Sequence, residues 1–169
     1  SNIEVVLSQN RLDADGQLES MPTDLDLIIA AGATQMAFAQ AVSKTLPNTH
    51  VLLIDAVIDE APNVNSILFR EYEVSYLLGY LAGSLTQTGV LGFLGELQES
   101  KALANVSTYT QGVKAACPEC TVLSGYTQES NRSDVAYTLA ASQQLKGVDI
   151  FFSPAGGSSA GVIEYVNKT

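Results

Sequence analysis

The sequence predicts an α/β fold built on parallel sheets. Short apolar runs alternate along the chain with longer amphipathic stretches, and turn-forming residues separate the two kinds. Strands that alternate with helices form βαβ units with right-handed crossovers, whose sheets are covered on both faces. The composition agrees: 169 residues are enough to bury a real core, and 46% hydrophobic against 15% charged is too apolar for a disordered chain.

Ile3-Glu4-Val5-Val6-Leu7 reads as the first strand, followed by a polar turn over Asp13-Ala14-Asp15-Gly16. Leu25 to Ala30 is the second strand, and Gly32 allows a sharp turn into a helix over Ala33 to Thr45, which Pro47 stops. Val51-Leu52-Leu53-Ile54 is an unbroken apolar run, predicted to be buried on both faces and ending at Asp55; Asn65 to Phe69 is the next strand. The second half keeps the rhythm. A helix over Tyr72 to Leu85 presents Tyr76, Leu77, Tyr80 and Leu81 as one face, with Gly79 and Gly83 permitting close packing. Gly89 to Gly95 is a glycine-punctuated strand, Ser100 to Cys117 a helix, and Thr121 to Tyr126 a strand. Asn131 or Ser133 caps a helix running to Leu145, with Gly147 as its left-handed terminator. Val148 to Phe152 is the last strand and Ser158 to Tyr165 the last helix.

Charge and motif content narrow the function. Eighteen acidic against eight basic residues give a net charge of -10, which disfavours nucleic acid, since phosphate binding is driven by clustered Lys and Arg. No stretch approaches the roughly 18 uninterrupted apolar residues of a membrane span. No positively charged segment leading into an apolar one opens the chain, so any signal peptide is expected to have been removed or never present. The two cysteines form one Cys117-Pro118-Glu119-Cys120 motif that closes a helix and precedes a strand, a structural setting rather than a thioredoxin-like one. Oxidation would lock this short loop; a reducing compartment would leave two thiols.

Catalytic and metal-binding signatures are scarce. With one histidine, His50, at the amino end of a strand, a multi-histidine metal site is excluded, and no GxSxG, GxxxxGK[ST] or correctly spaced GxGxxG occurs. Of the acidic pairs, Asp13/Asp15 flank a turn and Glu71/Glu73 begin a helix, where the macrodipole favours negative charge. Asp55, paired in sequence with Asp59, differs because it ends a wholly apolar strand. Ligands of parallel sheets bind at the carboxyl ends of strands. That edge collects Gly32-Ala33-Thr34, Asp55, Gly95-Glu96 and the Ser153-Pro154-Ala155-Gly156-Gly157-Ser158-Ser159 turn, whose backbone N–H groups and hydroxyls suit an anion or a sugar. Each position has a purely structural reading as well, as a glycine-rich turn or a carboxylate capping its own loop. Phe151 and Phe152 are neighbours in a strand and face opposite sides; one is core and the other is placed nearer the strand mouth.

Ser66-Ile67-Leu68-Phe69-Arg70-Glu71-Tyr72-Glu73-Val74-Ser75-Tyr76-Leu77-Leu78-Gly79 resembles the F-[KR]-E-x-E-x-x-Y-L-x-G segment of the basic membrane protein family, substrate-binding lipoproteins of bacterial ABC transporters that include purine-nucleoside-binding proteins. The similarity continues in order through Thr88 to Gly95, Gln111 to Ala115, and Gly147 to Gly157 with Val162-Ile163-Glu164, and Leu52 to Asp55 before it also matches the family's strand ending in Asp. The resemblance implies a type I periplasmic-binding-protein fold with two incomplete lobes, residues 1–70 and 71–169, closing on a nucleoside. By position it assigns Asp55 to the base, Phe152 to stacking on the base, and Gly156, Gly157 and Ser158 to the ribose side. It implies an ABC permease as partner, no cofactor, no metal and no catalysis, and a periplasmic or cell-surface location through a lipid anchor outside this chain.

Departures accompany the resemblance. Val74 replaces a common glycine, Glu96 stands where the family usually has a second one, and the family's first strand and its later ribose-binding lysine lie beyond the sequence at either end. The isolated chain is therefore expected to bind nucleosides weakly or not at all. A sensor of the same fold without a transporter, and a hydrolase using Asp55 with Glu96 or Glu71, are the alternative readings.

Overall fold

A computed structural model describes residues 21–98, 100–129 and 131–169. The expected first strand, Ile3 to Leu7, and the Asp13–Gly16 turn lie outside the described residues. The chain divides into two compact units, Ser1–Phe69 and Arg70–Thr169.

In the first unit, β1 (Leu27–Ala31), a 3-10 turn (Ala33–Gln35), α1 (Met36–Thr45), β2 (His50–Ile54) and β3 (Val64–Ile67) follow in order. The sheet runs β1-β2-β3, all parallel, with Ile28 opposite Val51 and Leu53 opposite Ser66. Helix α1 brings Phe38, Ala39 and Val42 onto Ile28, Ala30, Val51 and Leu53. The opposite face is different. Leu27 and Ile29 are exposed there, Ile29 by 62%, and Leu52 and Ile54 are half-buried. The unbroken apolar run of β2 thus has one fully buried face, against α1, and one half-buried face rather than the expected two buried ones. Strand β3 ends before Leu68 and Phe69, which are exposed, and His50 is an exposed first residue of β2. At the amino edge the buried Asn63 amide donates to the carbonyls of Leu46 and Thr49 while its oxygen accepts from Ser43, fastening the end of α1 to the β2–β3 connection.

The second unit contains α2 (Glu71–Leu85), β4 (Val90–Gly95), α3 (Ser100–Ala116), β5 (Thr121–Tyr126), α4 (Ser133–Gln144), β6 (Ile150–Phe152), a 3-10 turn (Gly156–Ser158) and α5 (Ser159–Val166). Its sheet runs β5-β4-β6, again parallel, with β4 central and almost wholly buried. Alternation along β4 serves two cores. Leu91 and Phe93 pack with Ala82, Tyr109, Val113 and Cys120, whereas Leu94 packs with Ala136, Ala140, Val162 and Tyr165.

Helix α2 keeps its predicted apolar face exposed. The residues it buries are Ser75, Gly79, Ala82 and Gly83, while Tyr76, Leu77, Tyr80 and Leu81 are exposed. The reason is backbone proximity to α3. A Cβ at Gly79 would lie 2.1 Å from the Tyr109 carbonyl oxygen, and one at Gly112 would lie 2.0 Å from that of Tyr76. Only glycine fits at either crossing point, so the small stripe of α2, not its large apolar one, meets α3. The expectation that Gly79 and Gly83 permit close packing holds.

Cys117 and Cys120 are joined in a disulfide between the end of α3 and the start of β5, with Cys120 inside the core. Burial pushes the Tyr109 hydroxyl up to about 12, with the Asp149 charge adding to the shift, and this hydroxyl has no partner among the described residues. Asp149 itself fastens the amino edge: it accepts from the Thr86 hydroxyl at 2.7 Å and from the N–H groups of Gln87 at 2.6 Å and Thr88 at 3.1 Å. Partial burial pushes its carboxyl up, but these hydrogen bonds win and hold it below the usual carboxylate value.

Two outcomes follow from this packing. Gly112→Ala must separate α2 from α3, and is expected to destabilise the protein by about 2–3 kcal/mol in denaturant melts; an unchanged midpoint contradicts the crossing. Because the Asp149 pKa is depressed on folding, its contribution is complete above the ordinary carboxylate pKa of about 4 and is lost as pH falls through the lower folded value. Asp149→Asn should therefore cost about 1 kcal/mol at pH 7 and progressively less in acid, read from melts at stepped pH.

Candidate functional site

In both units the chain segments that leave the strands at their carboxyl ends are tied to one another. In the first unit the Gly32 N–H donates to the Ile54 carbonyl at 2.9 Å and the Asp55 N–H to that of Ile67 at 2.8 Å, which carries the parallel ladder one step past the strands. To turn away from the sheet there, Gly32 has φ 96° and Asp55 has φ 66°. Left-handed backbone strains most side chains, and aspartate is among the residues that tolerate it best. Asp55 is half-buried at this edge, and Ala56 behind it belongs to the core.

In the second unit three strand exits are linked in series. Thr127 and Gln128 follow β5, and their N–H groups donate to the carbonyls of Gly95 at 3.0 Å and Glu96 at 2.7 Å after β4. The Glu129 carbonyl then accepts both the Thr127 hydroxyl and the Ser158 hydroxyl, each at 2.8 Å. Ser158 also accepts the Arg132 N–H at 2.8 Å. Arg132 grips Asp134 through two nitrogens, at 2.9 and 3.0 Å, and this hydrogen bonding lowers the Asp134 carboxyl to about 2.

The turn after β6 is divided between inside and outside. Gly156, with φ 53°, and Gly157 are exposed, whereas Ser158 is fully buried. Ser159 spends its hydroxyl within the turn, donating to the Ser153 carbonyl at 2.7 Å and accepting the Ala155 N–H at 3.1 Å. The outward surface offered to a ligand is therefore glycine backbone.

The sequence-predicted residues thus fall in distinct settings. Asp55 stands at the carboxyl edge of the first sheet, and Gly156 and Gly157 stand at that of the second. The Ser158 hydroxyl faces inward and is engaged by loop backbone. Phe152 ends β6 and is half-buried, its ring 5.6 Å from Phe93 edge-on and 5.1 Å from Tyr109. Phe151 joins the opposite core, so both rings of the pair lean on packed interior rather than one standing at the mouth. The expected caps of α4 are also replaced: neither Asn131 nor Ser133 caps it, Arg132 occupies the N-cap position without a side-chain cap, and Ser158 reaches its N–H from another loop. Sequence reasoning passed over the β5 exit, Thr127 to Arg132, because it holds no glycine; its position after a strand was the available signal. Glu71 pairs with Lys101 at 3.0 Å. Among the described residues no three His, Cys, Asp or Glu side chains converge to hold a metal, and no helix is long and apolar enough to cross a membrane.

Comparison with known proteins adds the family. Residues 13–169 match the family model of the ABC transporter substrate-binding protein, PnrA-like. The chain belongs to this family. It is 34% identical over 140 residues to a CD4+ T-cell-stimulating antigen of Listeria monocytogenes, covering 83% of this chain and 39% of that protein. It is 28% identical over 136 residues to the ABC transporter nucleoside-binding protein BmpA of Lactococcus lactis, covering 80% of this chain and 39% of the relative. A solute-binding protein of an Aeropyrum pernix ABC transporter system superposes with TM-score 0.81 at 24% identity, over 95% of this chain and 48% of that one. The likeness shows the periplasmic-binding-protein-like fold, and the chain spans half or less of the length of these proteins.

Gln128 carries φ 69° without being glycine. Gln128→Gly is expected to stabilise the protein by about 0.5–1 kcal/mol and Gln128→Val to destabilise it, measured by thermal melts; the reverse order overturns the strain assignment.

Proposed function

We propose that this chain is the ligand-binding portion of an extracytoplasmic solute receptor that delivers a purine nucleoside to an ABC permease and catalyses no reaction. The observation that carries the reading is the carboxylate of Asp55, set by a left-handed turn at the carboxyl end of β2, where parallel sheets take their ligands. There it accepts hydrogen bonds from the N–H groups of a base. In the second unit, the exposed backbone of Gly156 and Gly157 is suited to ribose hydroxyls, and the half-buried ring of Phe152 to stacking. The relative from Lactococcus lactis, named as a nucleoside-binding protein, supports the choice of ligand class. The Cys117–Cys120 bridge supports an oxidising, extracytoplasmic setting, where such bonds form and persist. A lipid anchor beyond this sequence would hold the receptor at the membrane surface.

Calorimetry of the full protein with adenosine, guanosine and inosine, beside chromatography for released base, tests this reading. Reversible binding of at least one nucleoside without turnover is expected. Asp55→Ala should weaken it about 10- to 100-fold, the range for a hydrogen bond to a charged group. Release of free base, or equal affinity in the variant, refutes the assignment.

A further inference from the structure

The hydroxyl of Ser158 stands in the glycine turn beside the groups offered to a sugar, yet it does not face them. Ser158 is fully buried, donates to the Glu129 carbonyl and accepts the Arg132 N–H, both at 2.8 Å and both more than 25 residues away in sequence. Ser159, its neighbour, keeps all three bonds of its hydroxyl within the turn. Ser158 is thus the side chain that joins the β6 exit to the β5 exit. The chain of bonds continues from Glu129 to Thr127 and from Gln128 to Glu96, reaching the β4 exit.

We infer that Ser158 is a positioning residue: it touches no ligand, and it fixes the exposed Gly156-Gly157 backbone to the β5–α4 loop so that the rim of the second unit sets as one piece. This rests on the reading of that rim as part of a nucleoside site. The physical ground is that a turn with a left-handed glycine has many backbone states. An anchor immediately after the two glycines restricts those states before a ligand arrives, which is the condition for affinity without a large ordering cost. A serine suits the place because one hydroxyl both donates and accepts. Removing the hydroxyl takes a partner from both the Glu129 carbonyl and the Arg132 N–H.

The test uses Ser158→Ala, Ser158→Thr and, as control, Ser159→Ala, each compared with the unchanged protein by amide hydrogen exchange and by nucleoside titration. In Ser158→Ala the Arg132 amide should exchange at least 10-fold faster, while the amides of Leu91 and Phe93 in β4 stay protected. Ser158→Thr, which keeps the hydroxyl, should restore protection, and Ser159→Ala should leave the Arg132 amide unaffected. In titrations well below the melting temperature, Ser158→Ala should bind nucleoside about 5- to 10-fold more weakly, with Ser158→Thr recovering most of the loss. A serine that only supports the fold would lower the melting temperature and leave that affinity unaltered, which overturns the inference; so does an Arg132 amide whose exchange ignores the substitution. If the unchanged protein binds no nucleoside, the functional reading fails and the role inferred from it falls, while the exchange measurements still decide whether the tether exists.

Discussion

A parallel strand that stops leaves N–H and C=O groups pointing sideways at its carboxyl end, and those groups must find partners before the chain can turn into a helix. This protein meets the constraint by letting each exit satisfy the next. Gly32 bonds to Ile54 and Asp55 to Ile67 in the first unit; Thr127 and Gln128 bond to Gly95 and Glu96 in the second. Four of the left-handed residues follow from the same demand. Gly32, Asp55, Gln128 and Gly156 all lie shortly after strands, where the backbone must complete its last bond and then leave the sheet abruptly. The edge at which a ligand is expected thus carries left-handed backbone and a run of hydrogen bonds of its own.

The opposite edge is secured by other means. Asp149 takes three hydrogen bonds from the segment between α2 and β4, and Asn63 binds the carbonyls that follow α1. Helix α2 is held by backbone proximity rather than by its large side chains. Three glycines bring α2 and α3 close enough that Tyr109 and Val113 present main-chain atoms to Gly79 and Gly83.

The alternation of apolar runs and amphipathic stretches made nearly every described element legible, because the period of a buried strand and that of a helix differ and glycine or proline marks most of the joints. The crossing of α2 was legible only through its glycines, Gly79 and Gly83. A helix that is apolar nearly all round, from Tyr72 and Val74 to Leu81 and Leu85, carries little directional signal, so its crossing was decided by where glycine allowed approach. In the same way, Gly156-Gly157-Ser158 could be recognised as a turn at a ligand edge. Which of the three faced outward depended on a 3-10 turn of one residue per 120°, a detail that composition does not carry. Asp55 was legible because a single carboxylate closing an apolar strand stands out, whereas Thr127 and Gln128 were hidden in a polar loop whose importance comes only from the strand it follows.

The charges at these edges bear on which ligand the proposed receptor would take. The sequence carries a net charge of -10, and the strand exits hold Asp55 in one unit and Glu96 and Glu129 in the other. Arg132, the cation at the start of α4, is already committed to Asp134 through two nitrogens. A phosphate ester brought to such groups would meet repulsion without the forked arginine contacts that phosphate recognition uses. A neutral ligand with N–H and O–H donors meets the reverse situation, since carboxylates and turn carbonyls only accept. On this ground the proposed receptor suits a free nucleoside better than its nucleotide, and the selectivity would come from the acidic character of each edge rather than from the shape of the turn.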